Sequence, residues 1–343
     1  MTRGRKFNIL ISIALVVIFL YLAFRNVNFG ELIGILSTTN YLYVFIGTFT
    51  GVVIGSAIRS LRWAVLLEPV KTDLRFRNLF ATTVIGYMFN NLIPRSGEVI
   101  RPYILGKQEK ISRASAFATI IVERIIDTSM FLFMFAIALL YFRDSLSEAI
   151  PGINSAVVIL SSGIILLVIL IIAVMLKPDF TLKVLKIFTK YLPEKIHLKI
   201  DRIFFSLLNG FDVLKKPSLF FRIALYSLLL WLAYLLSTYI PFYSFGILTT
   251  QNGTSILRGL WDANMLLVLI NLAMFIPSPA ATGPYHWICK VSLMNLFSVS
   301  EANSLGYGTA THAMMFIMYL VLGIYFFLSY NYKISEIKEE TEI

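Results

Sequence analysis

Six stretches of this chain are apolar over a length that a soluble domain does not repeat six times. They run over approximately 7–24, 41–67, 114–142, 153–176, 219–242 and 302–330. A hydrocarbon layer about 30 Å thick is crossed by roughly 20 apolar residues in α-helix. Inside that layer every backbone N–H and C=O must find its partner within the protein, which selects helices for single segments. The runs therefore predict membrane-spanning helices. Two further apolar stretches, 78–105 and 260–297, are each interrupted near the middle by Pro, Gly and Ser, and neither half is expected to span alone. Composition agrees: 58% of the chain is hydrophobic and 14% is charged, against about 25% charged in an ordinary soluble domain. A soluble enzyme, a disordered chain and a collagen-like chain are excluded. The one cysteine, Cys289, permits no internal disulfide.

The net charge of +11 would suggest nucleic acid only on a soluble surface. Here it sorts by position. Place the N-terminus in the cytoplasm and let both broken segments dip in and return to their own side. Of thirty Lys and Arg residues, Arg25, Arg143, Arg258 and Lys290 then fall outside and Arg124 within a span; the remaining twenty-five are inside. That is the positive-inside bias. Were each broken segment a full crossing, the ten basic residues from Lys177 to Arg222 would land outside. The bias therefore favours re-entrant segments, with both termini cytoplasmic. Arg3, Arg5 and Lys6 resemble the basic start of a signal peptide, but the apolar run is longer than a typical signal core. No small-x-small site precedes Arg25. The segment reads as a retained first helix.

The one sizeable polar stretch is about 177–217. Leu182, Leu185, Phe188 and Leu192 recur at helical spacing there, with Lys183, Lys186 and Lys190 on another face; Ile196, Ile200, Ile203 and Leu207 repeat the pattern. A basic amphipathic segment of this kind suits anionic headgroups at the cytoplasmic surface, and a solvated linker that merely obeys positive-inside reads equally well. The expected partners are membrane lipid and those headgroups, not nucleic acid; the oligomeric state is not legible.

The two broken stretches resemble each other. The first reads Asn90-Asn91-Leu92-Ile93-Pro94-Arg95-Ser96-Gly97-Glu98. The second reads Met274-Phe275-Ile276-Pro277-Ser278-Pro279 and then Ala280-Ala281-Thr282-Gly283-Pro284. In each, an Ile-Pro ends one half-helix and a Gly opens the next, with Ser96 and Thr282 as expected N-caps. Each break is followed by a long helix with an ionisable residue at similar depth: Asp127 lies 30 residues after Gly97, and His312 lies 29 after Gly283. With opposite sides of approach, this is an inverted repeat, which in transporters places substrate between discontinuous helices.

Some charges are not explained by topology. Glu123, Arg124 and Asp127 lie in an otherwise apolar helix, where an ionisable group costs about 2.5–3.5 kcal/mol on insertion scales. Glu123 and Asp127 share a face, and Arg124 can meet Asp127. Arg95 and Arg101 at the first break are the expected partner cations, and Glu98 can pair with Arg101. One outcome is a buried ion-pair network that pins the break. The other is a polar cavity for a charged headgroup, with Asn91 beside it. The half-helix N-termini at Gly97 and Gly283 offer N–H groups and partial positive charge. With Arg95, Arg101 and Arg124 they would hold a phosphate. Glu98, Glu123 and Asp127 would position those arginines or meet a cationic headgroup. His286 and His312, with Tyr285 and Asp262, are candidates for the facing wall. Two histidines and one acid are too few for a metal site, and no cofactor is expected. Arg59, Arg62 and Trp63 read mainly as interfacial anchors.

No Gly-x-Ser-x-Gly, His-Glu-x-x-His or phosphate-binding Gly-Lys-Ser/Thr sequence occurs. The outer loops offer Glu31, then Asp144 with Glu148, a weak set for a glycosyltransferase. The chain is not expected to be an enzyme.

Several of these residues form signatures. Asn91-Leu92-Ile93-Pro94-Arg95-Ser96-Gly97-Glu98-Val99-Ile100-Arg101 is two residues shorter than an Asn-x-x-x-Pro-x-x-x-Gly-Glu-x-x-Arg pattern. Glu123-Arg124-Ile125-Ile126-Asp127 matches Glu-Arg-x-x-Asp. Arg59-Ser60-Leu61-Arg62-Trp63 and Ile276-Pro277-Ser278-Pro279 match two weaker ones. By these the chain resembles the lysylphosphatidylglycerol synthase transmembrane region, a flippase-like integral membrane family, over nearly its whole length. The resemblance implies movement of a lipid, or synthesis coupled to it. The soluble aminoacyl transferase domain of the two-part synthases has no room after the last span, so aminoacylation is not implied. In the later motif many members have Gly-rich sequence followed by an acid; Ala280-Ala281-Thr282-Gly283-Pro284-Tyr285-His286 stands here, and no glutamate role carries over.

The expectation is an all-α polytopic protein of the cell (inner) membrane: six transmembrane helices plus two re-entrant helical hairpins in an inverted repeat. One transmembrane domain covers 1–330, with repeat halves at about 41–142 and 219–330, and a short cytoplasmic tail follows at 331–343. The favoured function is translocation of a phospholipid or polyprenyl-linked lipid. The rivals are a secondary transporter of a soluble anion, and a membrane-embedded glycosyl or lipid-head transferase or its noncatalytic partner. A separate glycosyltransferase or lipid-synthesis enzyme is the kind of protein partner such a chain would serve.

Overall fold

A computed structural model describes residues 3–144, 153–176, 217–248 and 255–332. The amphipathic stretch and nearly all of the tail lie outside these. Every regular element among the described residues is helical. In chain order they are α1 (Arg3–Phe24), α2 (Phe29–Thr38), α3 (Tyr41–Phe49), a π-helical turn (Thr50–Ile54), α4 (Gly55–Leu67), α5 (Phe76–Leu92), α6 (Gly97–Glu109) and α7 (Arg113–Tyr141). Then follow α8 (Ile153–Leu176), α9 (Pro217–Tyr239), α10 (Ile256–Ala273), α11 (Pro284–Phe297) and α12 (Glu301–Ser329). Polar residues set several starts. Asn28, Asn40, Ser112, Ser255 and Ser300 each accept a backbone N–H of the helix they precede, satisfying one of the orphaned donors.

Four helical stretches are long and apolar enough to cross a membrane: Tyr41–Leu67, Ser218–Ser244, Ile256–Ala273 and Glu301–Ser329. A fifth is reached if Ile11–Phe24 and Phe29–Thr38 form one broken span, but these two are bent by 89°. Two sequence expectations change. The first apolar run does not end in a simple loop; Asn28 starts a second helix across its axis. And the first half of the second broken stretch is, at 18 residues, long enough to span by itself.

The chain divides into two compact units. One comprises residues 1–57, 83–100 and 231–343; the other comprises 58–82 and 101–230. In the first, α12 packs on α2, α3 and α11, while α11 packs on α10 and α1. Both breaks lie in this unit. At the second, Gly283 sits so close to α1 that an added Cβ would stand 2.9 Å from the Val16 carbonyl oxygen. Along α12, His312 Nε2 reaches Ala280 O at 2.9 Å, and about two turns further on Tyr319 stacks on Tyr87 at 4.8 Å. A single helix thus borders both broken segments. In the second unit α7 packs on α8. Trp63, Leu66, Leu79, Leu105, Ile120 and Ile223 share a core there, and Trp63 Nε1 donates to Thr119 Oγ1 at 3.0 Å.

The first broken stretch is a helical hairpin. Proline lacks the N–H that would continue α5 and clashes with the preceding turn. After Pro94 the chain turns through Arg95 at φ 63°. It then folds back along α5. A Cβ on Gly97 would collide with the Gly86 carbonyl oxygen, whereas 11 residues of continuous helix would hold those positions about 16 Å apart. Further along, Thr82 Oγ1 donates to Gln108 Oε1 at 3.2 Å and Asn78 Nδ2 to Glu109 Oε1 at 2.6 Å. α5 and α6 therefore run side by side in opposite directions, and two glycines allow the close approach. α10 and α11, on either side of residues 274–283, pack on one another.

In a Cys289→Ala background, Thr82→Cys with Gln108→Cys should cross-link within one chain using a short bifunctional reagent, read by intact mass. A straight helix would place those residues about 39 Å apart and give no product. Gly97→Val should lower the melting temperature in detergent by several degrees, because the added side chain meets backbone and has nowhere to move.

Candidate functional site

α7 presents Glu123 and Asp127 one turn apart, and α4 presents Arg59 and Arg62 three residues apart. Within the second unit these faces meet. Arg59 Nη1 bonds both Glu123 Oε1 and, at 2.7 Å, Asp127 Oδ2. Arg62 Nη2 bonds Asp127 Oδ1, and its Nη1 donates to Ser227 Oγ at 3.1 Å. Arg101 of α6 grips Glu123 with two parallel bonds, Nη1 to Oε1 at 3.2 Å and Nη2 to Oε2 at 3.1 Å. Its guanidinium also lies 4.3 Å from the centre of the Trp63 ring, a cation–π contact. Arg124 stands at the rim, with nitrogens 3.8 Å from Glu123 and 3.9 Å from Asp127.

Burial grades across the cluster. The Glu123 side chain has no exposed surface, Asp127 keeps 21% and Arg124 keeps 40%. The arrangement is a dry core of charge with one wetter edge. Attraction in such a place is strong, and so is the cost of removing one partner.

Four of the sequence candidates, Arg101, Glu123, Arg124 and Asp127, are thus brought together. Arg59 and Arg62 correct the sequence reading. Together with Trp63 they are buried at 4%, 1% and 0% exposure, and so are not interfacial anchors. They are the main counter-ions of Asp127, and Arg59 shares Glu123 with Arg101. The Arg-x-x-Arg-Trp spacing was visible, but contacts to residues 64 to 68 positions later carry no local signature.

The remaining candidates belong to the first unit. Arg95 is exposed and left-handed. Ser96 takes the N-cap position through its carbonyl, which accepts Ile100 N at 3.1 Å. Its hydroxyl turns back to Ile93 O at 2.8 Å instead of capping forward. Asn90 does that work, accepting Gly97 N at 2.7 Å. Glu98 N and Val99 N go to Arg95 O and Ser96 O. The first amides of α6 therefore have protein partners, and the expected anion cradle at Gly97 is not formed. Asn91 is buried, and its Nδ2 meets no protein acceptor.

At the second break the N-cap is Gly283, not Thr282. Its N–H donates to His286 Nδ1 at 3.4 Å. His286 and His312 lie with ring centres 4.7 Å apart, and Tyr285 lies 5.1 Å from His312. The Tyr285 hydroxyl meets Thr311 Oγ1 at 3.1 Å. Asp262 is buried in α10 with Oδ1 unpartnered. Lys290, expected on the outer surface, is buried. It bonds Ala23 O at 2.8 Å and Glu301 at 2.6 Å, which closes the C-terminal end of α1. Among the described residues no group of three or more His, Cys, Asp or Glu is placed to hold a metal.

A separate polar knot closes the base of the first hairpin, beyond its apolar part. Glu109 accepts from Lys71 Nζ at 2.9 Å, Asn78 Nδ2 at 2.6 Å and Arg75 N at 3.3 Å. Burial pushes this carboxyl up, but the hydrogen bonds and the Lys71 charge outweigh it and hold the group below the usual glutamate value.

A carboxylate whose folded value is depressed stabilises fully above its unfolded value, about 4.3, and loses that contribution as pH falls through the lower folded value. Glu109→Gln should therefore flatten the decline of melting temperature below about pH 5. Glu123→Gln should be the more damaging change at neutral pH, costing about 3–5 kcal/mol because it strips a buried guanidinium pair of its partner. Asp127→Asn, at the wetter edge, should cost less. Denaturation in detergent ranks the three.

Comparison with known proteins finds membrane-protein relatives. A UPF0104 membrane protein of Methanocaldococcus jannaschii is 32% identical over 136 residues, 38% of this chain and 40% of that protein. One from Methanothermobacter thermautotrophicus is 29% identical over 238 residues, 63% of this chain and 67% of that protein. One from Pyrococcus horikoshii is 28% identical over 212 residues, 55% of this chain and 60% of that protein. The chain thus spans between two fifths and two thirds of the length of these relatives. The family profile of the lysylphosphatidylglycerol synthase transmembrane region matches residues 9–323. With apolar helices long enough to span a membrane and a match over nearly its whole length, the chain is an integral membrane protein that belongs to the lysylphosphatidylglycerol synthase transmembrane-region family.

Proposed function

We propose that this protein translocates a phosphate-bearing lipid, a phospholipid or polyprenyl-linked lipid, across the cell membrane. The observation that carries the reading is the buried set Arg59, Arg62, Arg101, Glu123 and Asp127, opening at Arg124. An intramembrane charge cluster marks a substrate path by default. Arginine offers the forked geometry that a phosphate accepts. In this reading a headgroup enters at the Arg124 edge and exchanges for part of the carboxylate contacts. The acyl chains stay in the bilayer. Glu123 and Asp127 keep the guanidinium groups oriented when the site is empty.

The layout assigned to this function has six spans, with the α5/α6 and α10/α11 hairpins re-entrant from opposite sides and both termini cytoplasmic. Positive-inside charge supports it, as does the doubling back of α5 and α6. Family membership supports a role connected with lipid. No chemistry on a covalent bond is assigned; transport is facilitated or ion-coupled.

Purified protein in liposomes should speed exposure of a headgroup-labelled phospholipid to an external quencher. Arg124→Gln at the half-exposed rim should slow this at least about tenfold, the worth of one charge-assisted contact, with melting temperature little changed. Arg101→Ala and Asp127→Ala should slow it further. Wild-type protein that moves no lipid overturns the function, and uptake of a hydrophilic anion in its place transfers it to a solute transporter. Variants that scramble like wild type overturn the site.

A further inference from the structure

The second break carries a pair of histidines whose protonation is fixed by the backbone. His312 Nε2 lies 2.9 Å from the Ala280 carbonyl oxygen. A carbonyl only accepts, so Nε2 carries the hydrogen, and in the neutral ring Nδ1 presents a lone pair. His286 Nδ1 receives the Gly283 N–H at 3.4 Å. It is therefore bare, and His286 Nε2 carries the hydrogen. Hydrogen-bond logic thus assigns one free donor, His286 Nε2–H, and one free acceptor, His312 Nδ1, on rings whose centres are 4.7 Å apart. Neither nitrogen takes a protein partner among the described residues, and both side chains retain a little exposure, 7% and 6%.

The backbone that fixes these tautomers is itself unusual. Ala280 and Ala281 have φ of 51° and 56°, and Gly283 has φ of 91°. Left-handed backbone at successive non-glycine positions is strained and persists where the surroundings over-determine it. The pair is flanked by aromatic rings. Phe24 lies 6.3 Å from His286, and Tyr285 borders both histidines. A metal does not suit this pair: ligation through His286 Nε2 would move its proton to Nδ1, against the Gly283 N–H. A carboxylate or phosphate oxygen could use the donor but would face the lone pair of His312. A hydroxyl group satisfies both, accepting from one ring and donating to the other.

We propose that His286 and His312 form a subsite for one hydroxyl of a polyol headgroup, of the glycerol or sugar type. The proposal rests on the lipid-translocating reading and narrows its substrate. A site built to bond a hydroxyl discriminates against the analogue lacking it, because the paired groups are left unsatisfied.

The test compares phosphatidylglycerol with phosphatidylpropanol, which has the same charge and nearly the same size without the headgroup hydroxyls. The full chain in detergent, labelled with ¹⁵N at histidine, is titrated with short-chain forms of each. Phosphatidylglycerol should bind at least about tenfold more tightly and move the His286 Nε2 and His312 Nδ1 resonances; phosphatidylpropanol should leave them in place. His286→Phe and His312→Phe should bring the two affinities within about twofold. If either variant fails to fold, the wild-type spectra decide. A parallel titration with free glycerol separates sources. Equal shifts with free glycerol keep the hydroxyl subsite but assign it to a soluble polyol. Equal affinity for both lipids, unmoved resonances, or identical shifts with both lipids (an ordered water only) would overturn the proposal. Hydroxyl-selective binding without lipid movement in liposomes would retain the subsite and remove the translocation reading. Lipid movement without hydroxyl selectivity would do the reverse.

Discussion

Glu123 has no surface open to solvent, yet two guanidinium groups converge on it from separate helices. A buried carboxylate in an apolar setting is costly unless it is both paired and hydrogen-bonded. Here α4 supplies Arg59, α6 supplies Arg101 and α7 supplies the carboxylate. The three helices cannot slide or rotate against one another without exposing charge to hydrocarbon. Trp63 adds a second constraint by lying under Arg101 and bonding Thr119 of α7. Ion pairs here do a task that apolar packing alone does poorly in a bilayer, where lipid tails compete with side chains on equal terms.

The same economy explains the hairpins. Unbonded backbone at membrane depth is tolerated only where protein or a polar cavity satisfies it. At the first break, Asn90, Ser96 and the carbonyls of Ile93 and Arg95 take up the interrupted bonds. The second break works differently. Its carbonyl at Ala280 and amide at Gly283 go to imidazoles, which have a second nitrogen to spare. One break is self-contained, and the other leaves one ring nitrogen of each buried histidine without a protein partner among the described residues. This asymmetry distinguishes two segments that are alike in sequence.

Much of the helical layout was legible from apolar run length and from Pro and Gly placement. The runs at 41–67, 153–176 and 302–330 correspond to α3–α4, α8 and α12 within a residue or two. Gly97 and Gly283 do stand at the half-helix starts. Less was legible where one residue had several local options. Ser96 was a sound N-cap by type, but Asn90, six residues earlier, reaches the Gly97 amide once the chain doubles back. Lys290 looked like an outer-surface cation, and Arg59 and Arg62 looked like anchors. Each was judged by nearness to a run's end, which does not report what packs over it.

The sequence by itself determined that this chain is helical, where its apolar segments begin and end, where two of them break, and which charges topology leaves unexplained. Those follow from local rules: period, length, caps and the cost of charge in hydrocarbon. Only the tertiary structure decided which arginines neutralise Glu123 and Asp127, that α5 and α6 lie antiparallel against Gly86 and Gly97, and which nitrogen of each histidine carries its proton. Ion pairing, close backbone approach and tautomer choice depend on atoms brought together from distant positions. No window of the sequence contains them.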